Sequence, residues 1–446
     1  MAAANNQPQA LDWQKRAEKR ELRVGIIGMG YVGLPLALLF AERGFRVTGF
    51  DTDAKKVETL NAGGSYIHRI EPEHIAAAQK TGFSATGDFA AIAELDAVLI
   101  CVPTPLAEEH APDLSAILRT MEAIGPHLHD GQLVVLESTT YPGTTAEVVA
   151  PAIEAAGHKL AQDGAEGGVL VAFSPEREDP GNTQIARTAI PKVVGGLCRA
   201  AGDAAEALYG CVFERVVRMS STDAAEMTKL LENIYRNVNI ALVNELKLLC
   251  LRMGIDVWEV IDAAATKPFG FQAFYPGPGT GGHCIPVDPF YLSWRARQFG
   301  VATRFIELAG EVNESMPQHV IDALTAALRK NGVALAGAKV LVLGVAYKKD
   351  VDDLRESPAL VIIEKLRHVG AVVSYNDPYF ARVGSGRKYD LQMESVPLDG
   401  LGGYDCVLIV TDHSCYDYAK IVAESKLVVD TRNATRGIAS EKIVRC

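Results

Sequence analysis

The feature that most constrains the fold is a glycine-rich turn between two strand-like segments near the start of the chain. The segment RVGII at 23–27 is apolar and β-branched, a helix-forming segment follows at 34–44, and a second strand-like segment, RVTGFD, ends at Asp51. Strand, helix and strand in this order predict a βαβ unit with parallel strands. The chain is therefore expected to contain an α/β domain built on a parallel sheet.

The turn has the glycine spacing of a dinucleotide-binding site. In GMGYVG, the first glycine permits a tight turn, the second lets the backbone approach a pyrophosphate, and the third allows the helix to pack closely. The amide end of the following helix would then face the phosphates. The residues expected to contact the cofactor in this turn are Gly28, Met29, Gly30, Tyr31, Val32 and Gly33.

The residue that ends the second strand indicates which dinucleotide binds. Asp51 stands where a carboxylate accepts hydrogen bonds from the adenosine ribose and repels a 2′-phosphate, which favours NAD over NADP. Lys56 follows within two helical turns, and it either reduces that repulsion or is a solvated lysine on a helix face.

Three further strand-like segments, at 96–105, 131–144 and 168–178, each end in polar residues and proline. In an open parallel sheet the ligand binds outside the carboxyl ends of the strands. The polar residues expected to face cofactor or substrate are therefore Thr104, Ser138, Thr139, Glu176 and Arg177. For the hydroxyls of residues 138–140, helix N-capping is an equally good interpretation.

From about residue 222 the pattern changes to a long helix that Gly254 is expected to end. Lys229, Asn233 and Asn237 recur at four-residue spacing and so share one face, which is either a solvated stripe or a buried polar face. Apolar residues on other faces, namely Leu242, Leu246 and Leu249, predict that the helix packs against a second copy in at least a homodimer. The alternative is a helix buried entirely within one chain.

The most unusual loop precedes Cys284. Six of the seven residues from 276 to 282 are glycine or proline, a composition that excludes a helix or a central strand. A single cysteine is most often a small core residue, but one presented beside His283 on such a loop is a candidate nucleophile. A metal site at these two residues is not expected, since no further ligands stand at a recognised spacing.

A second βαβ pattern occupies residues 339–378 and ends at Asp377, and strands at 405–413 and 427–433 follow it. Its turn reads GVAYKK, without the glycine spacing of the first unit. We interpret it as a related sheet adapted to another phosphate ligand, with charge supplied by Lys348, Lys349 and Arg355.

Composition narrows the class of protein. The chain has 446 residues, 48% of them hydrophobic, and a formal net charge of −11, which argues against nucleic acid or an anionic membrane as a partner. Residues 1–20 lack the apolar core of a signal peptide, and the eight cysteines are scattered singly. These features predict a cytoplasmic enzyme with reduced thiols.

The motifs, taken in order, resemble one family. GMGYVG, CVPTP, ESTTYPGTT, SPERE, TKLLENIYRNVNIALVNE, GGHCIPVDP and YKKDVDDLRESPA together resemble the UDP-glucose/GDP-mannose dehydrogenase superfamily of nucleotide-sugar 6-dehydrogenases. The resemblance covers about residues 22–435. It implies two Rossmann-like doubly wound domains joined by a long central helix, and NAD-dependent oxidation of the C6 hydroxyl of a nucleotide sugar to a carboxylate in two steps.

The resemblance also implies a role for individual residues. Cys284 resembles the nucleophile that forms a thiohemiacetal and then a thioester, and Lys229 with Asn233 resembles the pair that stabilises the oxyanion. Water hydrolyses this thioester, and the residues that resemble the groups holding or activating that water are Asp288, Thr139 and Glu176. Further cofactor contacts are Asp51, Lys56, Thr104, Thr139 and Arg355, the last from a neighbouring subunit. Contacts to the UDP-sugar are Glu176, Arg177, Lys229, Asn233, Tyr275, Gly279, Gly281, Gly282 and Lys348.

The expected domains are a tail at 1–21, an NAD-binding domain at 22–220, a central helical and dimerisation domain at 221–330, and a UDP-sugar-binding domain at 331–446. Residues 285–288 read IPVD where the UDP-glucose and GDP-mannose branches usually read LPKD, so the resemblance favours the branch acting on 2-acetamido UDP-sugars, with UDP-N-acetylglucosamine as substrate. Thr280 departs from the bulkier apolar residue usual in this loop.

Four alternatives remain. UDP-N-acetylgalactosamine and UDP-glucose are other candidate substrates. A binding protein without catalysis would have replaced Cys284 or Lys229, and neither is replaced. A one-step β-hydroxyacid dehydrogenase shares the first motif and a helical second domain, but it needs neither the GGHC loop nor the second sheet.

Overall fold

The computed structural model describes residues 8–67, 69–107, 111–178, 185–282, 285–386 and 389–446, with the side chains of residues 8–12 left out of the description. The chain divides into two compact units. Unit 1 comprises Met1–Glu232 and Trp294–Val301, and unit 2 comprises Asn233–Ser293 and Ala302–Cys446. The boundary at residue 232 falls inside one long helix, so each unit contains a part of it.

Unit 1 is built on a sheet whose spatial order is β3-β2-β1-β4-β5-β6-β7-β8. All neighbouring strands in it are parallel except β6 and β7, which are antiparallel. The strands are β1 (Arg23–Ile27), β2 (Arg46–Phe50), β3 (Phe83–Thr86), β4 (Ala97–Ile100), β5 (Leu133–Leu136), β6 (Leu170–Phe173), β7 (Lys192–Gly196) and β8 (Val216–Arg218).

Helices cover both faces of this sheet, and β4, β5 and β6 are therefore buried along their whole length. The helices of unit 1 are α1 (Pro8–Glu18), α2 (Gly33–Glu42), α3 (Ala54–Asn61), α4 (Pro72–Lys80), α5 (Ser115–Ile124), α6 (Ala150–Ala155) and α7 (Arg199–Gly210). One core cluster includes Val24, Phe40 and Tyr209, and the opposite one includes Ile100 and Phe173. The segment expected to be a tail forms α1, and Trp13 and Ala17 bury it in the first of these clusters.

Unit 2 contains a smaller parallel sheet of order β10-β9-β13-β14-β15 and a separate antiparallel hairpin, β11 with β12. The strands are β9 (Lys339–Leu343), β10 (Val372–Asn376), β11 (Arg382–Ser385), β12 (Asp390–Glu394), β13 (Cys406–Ile409), β14 (Val428–Asp430) and β15 (Ile443–Arg445). The remaining helices of the chain are α8 (Thr222–Met253), α9 (Val257–Ala265), α10 (Asp288–Gln298), α11 (Arg304–Lys330), α12 (Pro358–His368) and α13 (Tyr418–Glu424).

Both predicted βαβ units are confirmed, as β1-α2-β2 and β9-α12-β10. The predicted long helix is confirmed as α8, and Gly254 ends it with a φ of +71°, a left-handed conformation that a side chain would strain. The protein thus has two Rossmann-like domains and a long helix between them in the sequence. Among the described residues, no helix has both the length and the apolar character that crossing a bilayer requires.

Candidate active site

The glycine turn after β1 has the geometry of a phosphate-binding turn. Gly28 has a φ of +94°, and a Cβ on it would lie 2.6 Å from the carbonyl oxygen of Cys101. A Cβ on Gly33 would lie 2.0 Å from the carbonyl oxygen of Gly28, whereas a Cβ on Gly30 would meet nothing within 4 Å. The protein's own packing therefore requires the first and third glycines. The second glycine faces open space, as a turn that admits a pyrophosphate needs.

Asp51 connects the end of β2 to this turn. Its Oδ2 accepts a hydrogen bond from the Met29 amide at 3.0 Å, and its Oδ1 accepts one from the Asp53 amide at 2.9 Å. Lys56 Nζ lies 3.0 Å from Asp51 Oδ2 and its side chain is 35% exposed, so this lysine pairs with the carboxylate while it stays partly solvated. The ammonium pairs with the carboxylate because α3 begins directly after it and aims this residue back at the strand end. The Tyr66 hydroxyl donates to the carbonyl of Met29.

Hydroxyl groups link the ends of β4 and β5. Thr104 Oγ1 donates to the carbonyl of Thr139 at 2.7 Å, and Ser138 Oγ donates to the carbonyl of Val102 at 2.7 Å. Ser138 is thus not a helix N-cap, since its hydroxyl is used between the strand ends. The backbone of Thr139 is held at the carboxyl edge of the sheet, where the sequence predicts cofactor and substrate.

Glu226 on α8 fixes the loop that continues from Thr139. Its Oε2 accepts the Gly143 amide at 2.6 Å, and its Oε1 accepts the amide and the hydroxyl of Thr145 at 2.9 and 2.7 Å. Burial raises the pKa of Glu226 to about 6, although these hydrogen bonds lower it in part. Glu226 is not among the site residues predicted from the sequence. Its position three residues before Lys229, on the same helix face, was the available signal.

The SPERE segment after β6 is held by its own carboxylate and by α8. Glu176 Oε1 accepts the amides of Arg177 and Glu178, both at 2.6 Å. The Arg177 guanidinium contacts both carboxylate oxygens of Glu232 and donates to the carbonyl of Pro191 at 2.5 Å. Arg177 therefore has a partner within unit 1, and its contact with substrate stays a prediction.

The polar face of α8 is buried. Lys229, Asn233 and Asn237 are 7%, 5% and 2% exposed, so the interpretation as a solvated stripe is wrong. In unit 2, Asn233 Nδ2 donates to Asp288 Oδ2 at 2.6 Å. These two residues are a predicted oxyanion-stabilising amide and a predicted water-holding carboxylate, brought into direct contact.

Amide side chains anchor the glycine and proline loop of unit 2. Asn313 Nδ2 donates to Asn237 Oδ1 at 2.8 Å, and Asn244 Nδ2 donates to Asn313 Oδ1 at 2.9 Å. Asn244 Oδ1 in turn accepts the Gly277 amide at 2.9 Å. A chain of amides thus runs from α8 to α11 and on to the loop.

The glycines of this loop are needed because it packs against the turn after β9. A Cβ on Gly281 would lie 2.6 Å from the Tyr347 Cβ, and Gly282 has a φ of +84° and donates its amide to the carbonyl of Arg355 at 2.9 Å. Gly279, with a φ of +133°, lies against Pro358. His283 and the predicted nucleophile Cys284 lie outside the described residues.

Two further predicted contact residues are engaged within unit 2. The Tyr275 hydroxyl donates to Asp262 Oδ1 at 2.7 Å, and Arg436 Nη1 lies 2.6 Å from Asp262 Oδ2. Arg355 pairs with Asp353 at 2.7 Å. Lys348 is half-buried in the segment that follows β9. Their roles in binding cofactor and substrate stay predictions.

Comparison with known proteins gives matches along nearly the whole chain. Three domains of the UDP-glucose/GDP-mannose dehydrogenase family match in order: the NAD binding domain at residues 22–212, the central domain at 223–315 and the UDP binding domain at 341–437.

Similar proteins include a UDP-N-acetyl-D-mannosamine dehydrogenase of Methanococcus maripaludis, 34% identical over 424 residues that cover 92% of either chain. A UDP-N-acetyl-D-glucosamine 6-dehydrogenase of Pseudomonas aeruginosa is 32% identical over 397 residues, 89% of this chain and 91% of that one. A solved structure of UDP-N-acetyl-D-mannosamine dehydrogenase from Pyrococcus horikoshii superposes with a TM-score of 0.84 at 32% identity, covering 95% of this chain and 99% of that chain.

Proposed function

Because the chain belongs to the UDP-glucose/GDP-mannose dehydrogenase family, we propose that it oxidises the C6 hydroxyl of UDP-N-acetylglucosamine to a carboxylate. At a coarser level, the protein is an NAD-dependent nucleotide-sugar 6-dehydrogenase that acts on UDP-N-acetyl sugars. The observation that most supports the proposed chemistry is the 2.6 Å hydrogen bond between Asn233 and Asp288, four residues after Cys284.

The choice of UDP-N-acetylglucosamine as substrate depends on the segment that directly follows Cys284. Residues 285–288 read IPVD, without the lysine usual in the UDP-glucose and GDP-mannose branches. The relatives include both a mannosamine and a glucosamine enzyme at nearly equal identity, so identity does not choose between these C2 epimers. UDP-N-acetylmannosamine is therefore the second candidate substrate.

The residues fit an NAD-dependent mechanism. Gly30 leaves open space beside the turn, and Asp51 presents a carboxylate where the ribose hydroxyls of NAD are bound in such folds. When bound, NAD accepts a hydride in each of two oxidations. Lys229 would offset the negative charge that develops on the C6 oxygen, and Asn233 would donate a hydrogen bond to the same oxygen.

Cys284 would keep the intermediate from escaping. Its thiolate adds to the C6 aldehyde, and loss of hydride from the resulting thiohemiacetal leaves a thioester. Water, held by Thr139, Glu176 and Asp288, then attacks the thioester carbonyl, and the C–S bond breaks to release the carboxylate and the thiol. The overall reaction converts the alcohol, two NAD⁺ and one water to the carboxylate, two NADH and three protons.

We also propose that residues 22–220 bind NAD, that residues 331–446 bind the UDP moiety, and that residues 221–330 carry the nucleophile and form a homodimer. Leu242, Leu246 and Leu249 on α8 are 52%, 40% and 52% exposed in the single chain, which supports an apolar contact with a second copy. Light scattering that reports a dimer or larger oligomer is the expected result, and a monomer at working concentration would contradict it.

A substrate panel tests the activity. UDP-N-acetylglucosamine, UDP-N-acetylmannosamine, UDP-N-acetylgalactosamine, UDP-glucose and GDP-mannose are each incubated with NAD, and NADH is measured. We expect the highest kcat/KM with UDP-N-acetylglucosamine and two NADH for each sugar consumed. A higher value with the mannosamine substrate would overturn the choice of sugar, and no NADH with any substrate would overturn the proposed activity.

The matched variants are Cys284→Ser and Cys284→Ala. Serine retains an attacking oxygen but gives a slowly hydrolysed ester, so turnover should nearly vanish while both ligands still bind. Alanine cannot form the adduct and should damage the second oxidation more than the first. Full two-NADH stoichiometry at wild-type rate in Cys284→Ala would exclude Cys284 as the nucleophile.

A further inference from the structure

A buried ion pair lies at the carboxyl edge of the sheet in unit 1. Lys192 Nζ is 2.6 Å from Glu137 Oε2, and the two side chains are 4% and 0% exposed. The Tyr209 hydroxyl donates to the other oxygen of Glu137, and Lys192 also donates to the carbonyl of Pro175 at 3.2 Å. The sequence motifs assign no role to Glu137, Lys192 or Tyr209.

Stability does not explain why this pair is charged. Desolvating two ions costs free energy that apolar side chains of similar size would avoid, so a buried ion pair is weak evidence for stabilisation. Burial raises the pKa of Glu137, while attraction to Lys192 opposes that shift. Burial lowers the pKa of Lys192, but the charges of Glu137 and Glu176 outweigh burial and raise it.

The position of the pair in the sheet indicates its role. The last paired residues of β5 and β6 are Leu136 and Phe173, and one further backbone hydrogen bond joins the Ser174 amide to the Leu136 carbonyl at 3.0 Å. Among the described backbone hydrogen bonds, none joins the two segments beyond Ser174. Glu137 stands two residues before Thr139, and Pro175 stands directly before Glu176. The single ammonium of Lys192 therefore binds both diverging segments just before each presents its functional side chain.

We propose that Glu137 and Lys192 are positioning residues that set the separation of Thr139 and Glu176, and thereby aim the water that hydrolyses the thioester. This inference rests on the proposed function, because only a thioester-forming enzyme needs such a water. Thr139 is also a predicted cofactor contact and Glu176 a predicted UDP-sugar contact, so the specific claim is that hydrolysis of the thioester depends on the pair more strongly than the binding of either ligand does.

The decisive variant is the double substitution Glu137→Gln with Lys192→Met. It removes the contact with Pro175 without leaving an unpaired buried charge, which the single Lys192→Met variant would leave. We expect steady-state kcat to fall by about tenfold or more, since small misplacements of reacting groups have large effects on rate. The first rapid release of two NADH per active site should keep its rate within about twofold, and KM for both substrates should rise by a smaller factor than kcat falls.

A direct readout is the covalent intermediate. Acid quenching during turnover, followed by mass spectrometry, should show more acyl adduct on Cys284 in the double variant than in the wild type. Glu137→Gln alone leaves the buried Lys192 ammonium without its carboxylate and should lower stability. It keeps an oxygen that accepts from Lys192, so the contact with Pro175 is retained and kcat of the folded protein should lie closer to wild type than in the double variant.

The matched control is Arg23→Met with Glu94→Gln, which neutralises an exposed pair of the same unit. Its atoms are 3.1 Å apart, and its side chains are 46% and 75% exposed, so kcat should stay within about twofold of wild type. A folded Glu137/Lys192 double variant with unchanged kcat would overturn the inference, and so would an equal loss in the NADH burst and the steady state. Absence of NADH from the wild type would instead overturn the proposed function.

Discussion

The two βαβ units of the protein begin with the same turn. Gly28 and Gly344 have φ values of +94° and +80°, and their amides donate to the carbonyls of Phe50 and Asn376 at the end of the next strand. A Cβ would lie 2.6 Å from a carbonyl oxygen at the first glycine and 2.5 Å from one at the second. In both units the strand that follows the helix ends in an aspartate whose carboxylate accepts the amide of the residue after this glycine.

The units differ in the hydrogen-bond partners and the exposure of this aspartate. Asp51 accepts one amide from its turn, also accepts the Asp53 amide and pairs with Lys56, and is 9% exposed. Asp377 accepts the amides of Val345 and Ala346 and contacts His413 Nε2 at 3.1 Å, and it is 3% exposed. In the first unit α2 starts at Gly33, while in the second α12 starts only at Pro358. In the first unit the aspartate thus binds one amide of a turn whose second glycine, Gly30, faces open space, whereas in the second unit it binds two amides of the turn and a histidine.

The largest expected effect comes from removing the buried acid. Asp377→Ala takes the acceptor from two buried amides and from His413, and should lower the free energy of unfolding by about 3 kcal/mol. NAD affinity should not change, because the affected turn belongs to unit 2. Urea unfolding and calorimetric titration with NAD measure the two quantities. Asp51→Ala, which takes the acceptor from two amides of unit 1, is the comparison variant expected to lower NAD affinity as well as stability.

The same residue predicts a pH dependence. Burial raises the pKa of Asp377, but hydrogen bonds from His413 and the backbone outweigh it, so the pKa is lowered in the folded protein. A carboxylate with a lowered folded pKa contributes stability above its unfolded pKa, near 3.9, and this contribution is lost as the pH falls through the folded pKa. The difference in stability between wild type and Asp377→Ala should therefore shrink below about pH 4, and a constant difference there would contradict the assignment.

The next effect concerns the third glycine, which unit 2 lacks. Gly33→Ala forces a Cβ to within 2.0 Å of the Gly28 carbonyl oxygen and must distort the turn. We expect NAD affinity to fall by about thirtyfold, equivalent to about 2 kcal/mol. Gly30→Ala is the matched variant: it meets no protein atom, so the thermal stability should be unchanged and only NAD binding should weaken. Equal NAD affinity in both variants and wild type would show that the turn does not bind the pyrophosphate.

The smallest effect concerns cofactor choice at Asp51. The wild type should prefer NAD to NADP by about tenfold or more, equivalent to about 1.4 kcal/mol. Asp51→Asn should narrow this preference. Lys56→Ala removes the ammonium that neutralises the carboxylate and should widen it. Ratios of kcat/KM for the two cofactors test all three proteins, and equal turnover with NAD and NADP in the wild type would contradict the role of Asp51.

Local patterns in the sequence predicted the parts of the fold that depend on neighbouring residues. The glycine spacing from Gly28 to Gly33, the long helix to Met253 and both βαβ units all leave such patterns, and the structure confirms them. The strand β7 was not predicted, and its antiparallel pairing with β6 has no local signature.

The missed features of the candidate site are contacts between residues distant in sequence. Glu137 meets Lys192 across 55 residues, and Glu226 meets Gly143 across 83 residues. Whether Asn237 is solvated or buried likewise depends on Asn313, which lies on another helix. A pattern of residue types states which groups are available, but the pairing of buried charges and amides depends on the assembled fold.

The chain of amides that anchors the loop before Cys284 has a consequence for an enzyme that produces acid. Each turnover of the proposed reaction releases protons, and a loop held by carboxylates would lose its anchors as its surroundings acidified. Asn237, Asn313 and Asn244 carry side chains that neither gain nor lose protons in water near neutrality. The hydrogen bond to Gly277 is therefore insensitive to the protons that the enzyme releases, and loss of this anchor should not contribute to a pH profile of turnover.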